Sequence, residues 1–145
     1  MLVVRTRWQR LRAPLTAAGI IGAGALALHL RDPHVSGSWG FCPFLAFTGF
    51  YCPGCGGLRA VNELTNLDLI AAAHANLVFV LSLPFIAWGF VGWFRGAWTG
   101  EDRTARFLSS NWFYVGLAVL LVVFMVVRNL PGFEWLTPAP PTVVE

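Results

Sequence analysis

The residues best suited to chemistry in this 145-residue sequence are its three cysteines, which all lie in one segment. Cys52 and Cys55 bracket a Cys-Pro-Gly-Cys-Gly turn, and Cys42 lies upstream of it, followed by Pro43. Proline fixes φ and removes an amide donor, while glycine lets the chain reverse its direction. We therefore expect Cys52 and Cys55 to lie side by side, with Cys55 at the start of a helix whose dipole favours a thiolate.

Three kinds of chemistry fit these cysteines. In the first, Cys42, Cys52 and Cys55 bind zinc, because a C-x2-C turn with glycines is a common half of a structural zinc site. The fourth ligand would be His34, His74, an acidic side chain or water. In the second, Cys52 and Cys55 form a redox dithiol and Cys42 is the exchanging thiol. In the third, a structural disulfide joins Cys42 to Cys52 or Cys55 and leaves one thiol buried, since three cysteines cannot all pair within one chain.

The residues after the turn have the pattern of a short amphipathic helix. Apolar side chains recur at helical spacing, at Leu58, Val61 and Leu64 or Thr65. Polar side chains take the other face, at Arg59, Asn62, Glu63 and Asn66. This pattern predicts a helix that lies on the membrane surface. Asn66 and Asp68 would cap a second short helix that runs on into the next apolar stretch, and an ion pair between Arg59 and Asp68 would orient the two helices.

The composition is typical of a membrane protein. Hydrophobic residues make up 57% of the chain and charged residues 12%, against about 25% charged residues in soluble domains. The net charge of +3 is small and scattered, which excludes a nucleic-acid-binding surface. The sequence has no Ser/His/Asp triad, pair of catalytic carboxylates or phosphate-binding glycine loop, so the thiols are the only visible catalytic groups.

Three apolar stretches are long enough to cross the hydrocarbon of a bilayer as helices. They are residues 14–31, 76–95 and 111–128. The first stretch follows four arginines and is also compatible with a cleaved secretory signal, although we favour a membrane span. The predicted fold class is all-α and integral to the membrane, with three transmembrane helices in a single membrane domain.

The placement of the arginines predicts the orientation of these helices, because short cytoplasmic loops carry an excess of positive charge. Residues 1–13 and 96–110 hold most of the arginines and are expected in the cytoplasm. Residues 32–75 and the proline-rich tail 129–145 would then lie outside, the tail as a solvated, extended chain. The cysteines would therefore lie in a compartment that permits disulfides.

The order of the motifs resembles a known family. CPFLAFTGFYCPGCGGLRA is followed by NLDLIAAAHAN, an apolar span and RNLPGF, and this order is similar to that of the small bacterial membrane proteins grouped as domain of unknown function 2752. The resemblance covers roughly Phe41 to Trp135 and implies a multi-pass membrane protein without an established activity. The family's pattern maps onto Cys42, Cys52, Cys55, Arg59, Asp68 and Asn76. Leu77 stands where the family has a proline after the asparagine.

Together these features predict a small protein of the bacterial plasma membrane with an accessory role. We expect a non-catalytic interaction subunit of a larger membrane assembly, with the lipid bilayer and a second protein as its partners. Zinc at the cysteines is the candidate cofactor, and Arg59, Asp68 and Asn76 are assigned structural roles. The alternative is a membrane thiol-disulfide oxidoreductase that uses Cys52 and Cys55. A channel or transporter is a weaker hypothesis, because three spans without intramembrane charges line no path.

Overall fold

The computed structural model describes residues 6–35, 37–39, 42–100 and 111–138. Its helices, in chain order, are α1 (Arg7–Leu30), α2 (Pro43–Thr48), α3 (Gly57–Thr65), α4 (Leu69–Ala75), α5 (Leu77–Thr99), α6 (Asn111–Arg128) and a 3-10 turn (Glu134–Leu136). Helices α1, α5 and α6 are long and apolar enough to cross a membrane. The described ranges contain no β-strand element, so the prediction of an all-α chain with three candidate membrane spans is confirmed.

Helix α1 begins well before the apolar stretch that predicted it. Thr6 and Gln9 form a capping box in which the Gln9 N–H donates to Thr6 Oγ1 at 3.4 Å and the Thr6 N–H donates to Gln9 Oε1 at 2.9 Å. The box satisfies backbone donors at the helix N-terminus. The helix therefore starts at Arg7, and Pro14 lies inside it as a buried residue.

Helices α1 and α5 pack against each other. Near the start of α1, Arg10 Nε donates to the Ala97 carbonyl oxygen at 3.2 Å, and the Arg7 guanidinium lies 4.9 Å from the ring centroid of Trp98. These contacts put the N-terminus of α1 beside the C-terminus of α5. Helix α5 extends into the loop predicted over 96–110, most of which lies outside the described residues.

A single extended residue separates α4 from α5. Asn76 has φ −159° and ψ 95°; its N–H donates to the Ala72 carbonyl oxygen at 3.0 Å to end α4, and its Oδ1 accepts from the Phe79 N–H at 3.0 Å to begin α5. The expected continuous helix is interrupted here, because Asn76 is both the C-cap of one helix and the N-cap of the next. Asp68 caps α4 as expected, with its Oδ1 accepting from the Ala71 N–H at 2.8 Å.

Residues 42–75, which we call the cysteine cap, pack on the ends of α1 and α5. The small core of this region consists of Ala60, Ala72 and Ala75, with Leu64, Phe79 and Val80 packed against them. Asn62, which the sequence placed on the polar outer face of α3, is buried instead, since its Nδ2 donates to the Leu28 carbonyl oxygen at 2.8 Å. This hydrogen bond satisfies a carbonyl group in the last turn of α1.

Helix α6 joins the rest of the molecule mainly at its C-terminal end. Phe124 and Arg128 are buried, whereas the apolar side chains of the preceding turns are largely exposed. The segment after α6 differs from the solvated tail expected there. Leu136 and Pro138 are buried, because the 3-10 turn folds back against α4. The last seven tail positions, 139–145, lie outside the described residues.

Candidate functional site

The three cysteine sulfur atoms form one compact group. Cys52 Sγ lies 2.8 Å from Cys55 Sγ and 3.6 Å from Cys42 Sγ, and all three sulfur atoms lie within 4.8 Å of one another. No disulfide joins them. The Cys-Pro-Gly-Cys-Gly turn thus brings Cys52 and Cys55 together as its spacing indicates, and Cys42 joins them from a separate segment.

The local backbone places these sulfur atoms. Cys42 is the N-cap residue of α2, which begins with a proline, where a missing amide donor costs nothing. In the turn, the Cys55 N–H donates to the Cys52 carbonyl oxygen at 3.1 Å, and the Cys52 N–H donates to Cys55 Sγ at 3.3 Å. Gly56 follows with φ +85°, and a Cβ atom there would overlap the Ala75 carbonyl oxygen. The close approach of the turn to α4 therefore requires glycine at this position.

Arg128, the last residue of α6, holds the cysteine turn from the other side. Its Nη1 donates to the carbonyl oxygens of Cys52 at 2.9 Å and Cys55 at 3.2 Å, and its Nη2 donates to the Leu136 carbonyl oxygen at 3.0 Å. The side chain is only 1% exposed, and its guanidinium lies 5.6 Å from the ring centroid of Tyr51. One guanidinium therefore connects α6, the turn and the segment after α6.

Asn76 supplies a second fixed contact to the same turn. Its Nδ2 donates to the Pro53 carbonyl oxygen at 2.9 Å and to the Cys55 carbonyl oxygen at 3.2 Å, and the residue is buried. The Cys55 carbonyl oxygen thus accepts hydrogen bonds from both Asn76 and Arg128. Because buried carbonyl groups are costly to leave unpaired, these side chains determine the position of the turn relative to α5 and α6.

Cys42 and Cys55 differ in the pKa of their thiols. Burial raises the pKa of Cys55 to about 12, with further contributions from the hydrogen bonds to Cys52 and Cys42. This result contradicts the expectation of a helix-stabilised thiolate at Cys55, because loss of solvation outweighs the helix dipole. At Cys42, burial opposes ionisation, but the nearby backbone amides of Leu45 and Phe44 and the other two thiols bring its pKa below the usual value.

Neither histidine that the sequence offered as a fourth ligand belongs to the sulfur group. His34 lies between two carboxylates, with Nδ1 2.7 Å from Asp32 Oδ1 and Nε2 3.1 Å from Glu63 Oε1. His74 Nδ1 lies 3.3 Å from the Trp135 carbonyl oxygen, so it contacts the segment after α6. Both imidazoles are thus engaged elsewhere.

The other residues assigned structural roles lie at different places in the cap. Arg59 Nε donates to the Pro33 carbonyl oxygen at 3.4 Å, which ties α3 to the chain that follows α1. Asp68 caps α4. An ion pair between Arg59 and Asp68 remains a prediction, whereas Asn76 contacts the cysteine turn directly.

The arrangement can hold one metal ion. Thiolates bind zinc at about 2.3 Å, so sulfur atoms within 4.8 Å of one another can share an ion. Across the described part of the chain, no imidazole or carboxylate completes the group, and the protein therefore offers three sulfur ligands. The same geometry disfavours nucleophilic chemistry at Cys55, because that residue is only 8% exposed and reactive cysteines are accessible thiolates.

Sequence reasoning missed the side chains that hold the site together. Arg128 looked like a charge that closes a membrane span, and Asn62 looked like part of a solvated helix face. The available signal for Arg128 was its position directly before Asn129, Leu130 and Pro131, where the chain must turn. Nothing in the local pattern indicated that the guanidinium reaches a turn 73 residues earlier.

Over the residues that the structure describes, the fold and the site define a class of protein: a helical chain with three apolar, membrane-length helices and a three-cysteine cluster between the first two. Residues 42–90 match the family model described as "Protein of unknown function (DUF2752)". The matched segment includes the whole cysteine cap and the first part of α5. No curated protein and no solved structure matches the chain.

Proposed function

We propose that this chain is a small, non-catalytic accessory subunit of a membrane assembly, and that the cysteine cap is its rigid structural platform. The observation that carries the proposal is the attachment of the cap to one end of each long helix. Asn62 bonds the end of α1, Asn76 begins α5 and bonds the cysteine turn, and Arg128 ends α6 and bonds the same turn. Such a platform fixes three helix ends while leaving their apolar surfaces available.

The exposed helix surfaces support an interaction role. In α6, side chains such as Leu120 and Val123 are about half exposed within the chain. In α1, a Cβ atom built at Gly19, Gly22 or Gly24 would meet nothing within 4 Å. Small residues let helix backbones approach closely in a bilayer, so α1 offers a surface for a partner helix.

The proposed orientation has the N-terminus in the cytoplasm and the cysteine cap outside a bacterial plasma membrane. Its support is the basic end of the α1–α5 pair, where Arg7, Arg10 and Arg12 lie in the first turns of α1. Arg10 contacts the last turn of α5, so both helices have that end on the same side. Positive charge of this kind marks the cytoplasmic face.

We further propose that zinc, rather than a disulfide, stabilises the cap. The support is the convergence of three unpaired sulfur atoms from two segments. The thiol-disulfide oxidoreductase alternative is less well supported, because burial of Cys55 and the elevated pKa of its thiol disfavour an attacking thiolate at that position.

Photo-crosslinking in native membranes tests the accessory role. A photoreactive residue is placed in turn at Leu117, Val122 and Val123, which are exposed and point in three directions about 100–140° apart around α6. A partner helix gives one protein adduct of defined mass from one face and lipid adducts from the others. Gly22→Leu, which places a bulky side chain on the open surface of α1, should weaken the complex, whereas Ile21→Leu serves as the matched control. Lipid adducts alone from all positions, with no effect of Gly22→Leu, would contradict the proposal.

A further inference from the structure

Arg128 is a buried cation, and its described contacts include no group of opposite charge. Its hydrogen-bond acceptors among the described residues are three neutral backbone carbonyl oxygens, its Nε has no hydrogen-bond partner there, and the Phe124 ring centroid lies 4.8 Å from its guanidinium. Among the residues that the structure describes, no carboxylate lies within ion-pair distance of it. Buried charges in proteins are normally paired, so this guanidinium requires a negative charge nearby.

The cysteine group can supply that charge. Arg128 is bonded to the backbone of Cys52 and Cys55, whose sulfur atoms belong to the three-sulfur group. Three thiolates around a divalent cation carry one net negative charge, which one guanidinium cancels. A disulfide is neutral and would leave the guanidinium uncompensated, and a monovalent ion would leave a net negative charge beside it.

We propose that Cys42, Cys52 and Cys55 bind one divalent, thiophilic cation of the zinc type as an anionic tris-thiolate, with Arg128 as its buried counter-ion. This inference rests on the proposed function, in which the cap is a structural platform. Binding exchanges the three thiol protons for the ion and releases them to solvent, with no change of oxidation state. Water completes the tetrahedral coordination that three protein ligands leave unfinished.

The same arrangement explains why a buried arginine is compatible with a small cap. The guanidinium offsets the single negative charge that remains on the three-thiolate cluster once a divalent ion is bound. Arg128 is in this scheme a positioning residue, since it bonds the backbone of Cys52 and Cys55 and balances the charge of the cluster.

Cobalt titration of the full-length protein tests the inference. The protein is purified in mild detergent, reduced, freed of metal with a chelator and titrated with Co²⁺, whose spectrum reports coordination number and thiolate ligation. We expect one Co²⁺ per chain with intense sulfur-to-cobalt charge-transfer bands and four-coordinate d–d bands, displaced by Zn²⁺. Cys42→Ser should lower the charge-transfer intensity, because it removes one thiolate.

The counter-ion role is tested with charge-matched variants. Arg128→Gln should weaken Co²⁺ binding by at least about tenfold, whereas Arg128→Lys should restore most of the affinity because it keeps the charge. Arg12→Gln is the control. Arg12 lies near the start of α1, at the end of that helix that is away from the cysteine cap, so this variant should leave Co²⁺ binding unchanged. Circular dichroism shows whether Arg128→Gln folds. If it does not, the Co²⁺ affinities of Arg128→Lys and Arg128→Met are compared instead, with both variants reconstituted at low temperature.

Three results would overturn the inference: no Co²⁺ binding, a weak six-coordinate spectrum, or equal affinity in Arg128→Gln and the wild type. Each is separable from failure of the proposed function, because the crosslinking from α6 is read without any metal. A chain that forms the partner adduct but binds no cobalt keeps the accessory role and loses the metal site.

Discussion

The side-chain amide of Asn129 and the backbone of Tyr51 form a closed pair of hydrogen bonds. Asn129 Nδ2 donates to the Tyr51 carbonyl oxygen at 2.9 Å, and the Tyr51 N–H donates to Asn129 Oδ1 at 2.8 Å. Tyr51 directly precedes Cys52, so this pair fixes the chain as it enters the cysteine turn. Together with the hydrogen bonds from Arg128, this pair fixes the position of the cysteine turn relative to the end of α6.

Asn129→Ala should destabilise the protein by about 1–3 kcal/mol, because it leaves two partly buried backbone groups of Tyr51 without partners. The measurement is thermal unfolding in detergent, followed by tryptophan fluorescence. Thr16→Ala is the control, since Thr16 is exposed and its hydroxyl bonds only the nearby Ala13 carbonyl oxygen. Equal unfolding temperatures for Asn129→Ala and the wild type would show that the pair contributes nothing.

Gly56→Ala should destabilise the protein by more than about 2 kcal/mol, since it combines a left-handed backbone with an overlap on a carbonyl oxygen. Gly57→Ala provides a matched control one residue later, where a Cβ atom meets nothing within 4 Å and a helix begins. We expect this control to be neutral or stabilising by up to about 1 kcal/mol. Urea unfolding of both variants in the same detergent makes the comparison, and similar losses in the two would argue against a required close approach at Gly56.

Asn76→Asp separates the two tasks of the Asn76 side chain. Aspartate keeps the acceptor that caps α5, but it cannot donate to the carbonyl oxygens of Pro53 and Cys55. We expect the free energy of unfolding to fall by about 1–3 kcal/mol because the two hydrogen bonds are lost. Repulsion between the carboxylate and those carbonyl oxygens adds to this decrease. Asp68→Asn makes the reverse exchange at the N-cap of α4, keeps its Oδ1 acceptor and should change stability little. If both exchanges have the same small effect, Asn76 serves only as a helix cap.

Alkylation of the metal-free, reduced protein should modify Cys42 before Cys55. The pKa of Cys42 is lowered and that of Cys55 is raised to about 12, so at pH 8 the Cys42 thiolate is by far the more populated. We expect Cys42 to react with iodoacetamide at least about a hundredfold faster than Cys55. The rate at Cys55 should keep rising with pH to the highest accessible values, as followed by peptide mass spectrometry. A Cys55 rate that levels off near neutral pH would contradict the burial argument.

The parts of this fold that can be predicted from the sequence are those that depend on residues close together along the chain. The apolar runs predict α1, α5 and α6, and the proline and glycines around Cys52 and Cys55 predict a turn that brings the two side chains together. The same is true of Asp68, whose capping role follows from its position before a helical stretch. In each case the residues that decide the outcome lie within a few positions of one another.

The parts that local pattern did not predict depend on contacts between distant segments. From its sequence position Asn62 is expected to be exposed, but in the fold it contacts the end of α1. Leu136 is expected in a solvated tail, but its carbonyl oxygen accepts a hydrogen bond from Arg128. His34 has the right chemistry for a metal ligand, but Asp32 and Glu63 occupy its two ring nitrogens. The acidity of Cys55 follows the same rule, since its burial depends on packing and not on its place before α3.

The hydrogen bonds from Arg128 also impose an order on the biogenesis of this chain. Cys52 and Cys55 leave the ribosome long before Arg128, which lies 76 and 73 residues further along the chain. Until α6 has been synthesised, the carbonyl oxygens of Cys52 and Cys55 lack their guanidinium donor, and Asn76 can bond only the carbonyl oxygens of Pro53 and Cys55. A polypeptide that ends before Arg128 lacks the guanidinium that bonds the carbonyl oxygens of Cys52 and Cys55.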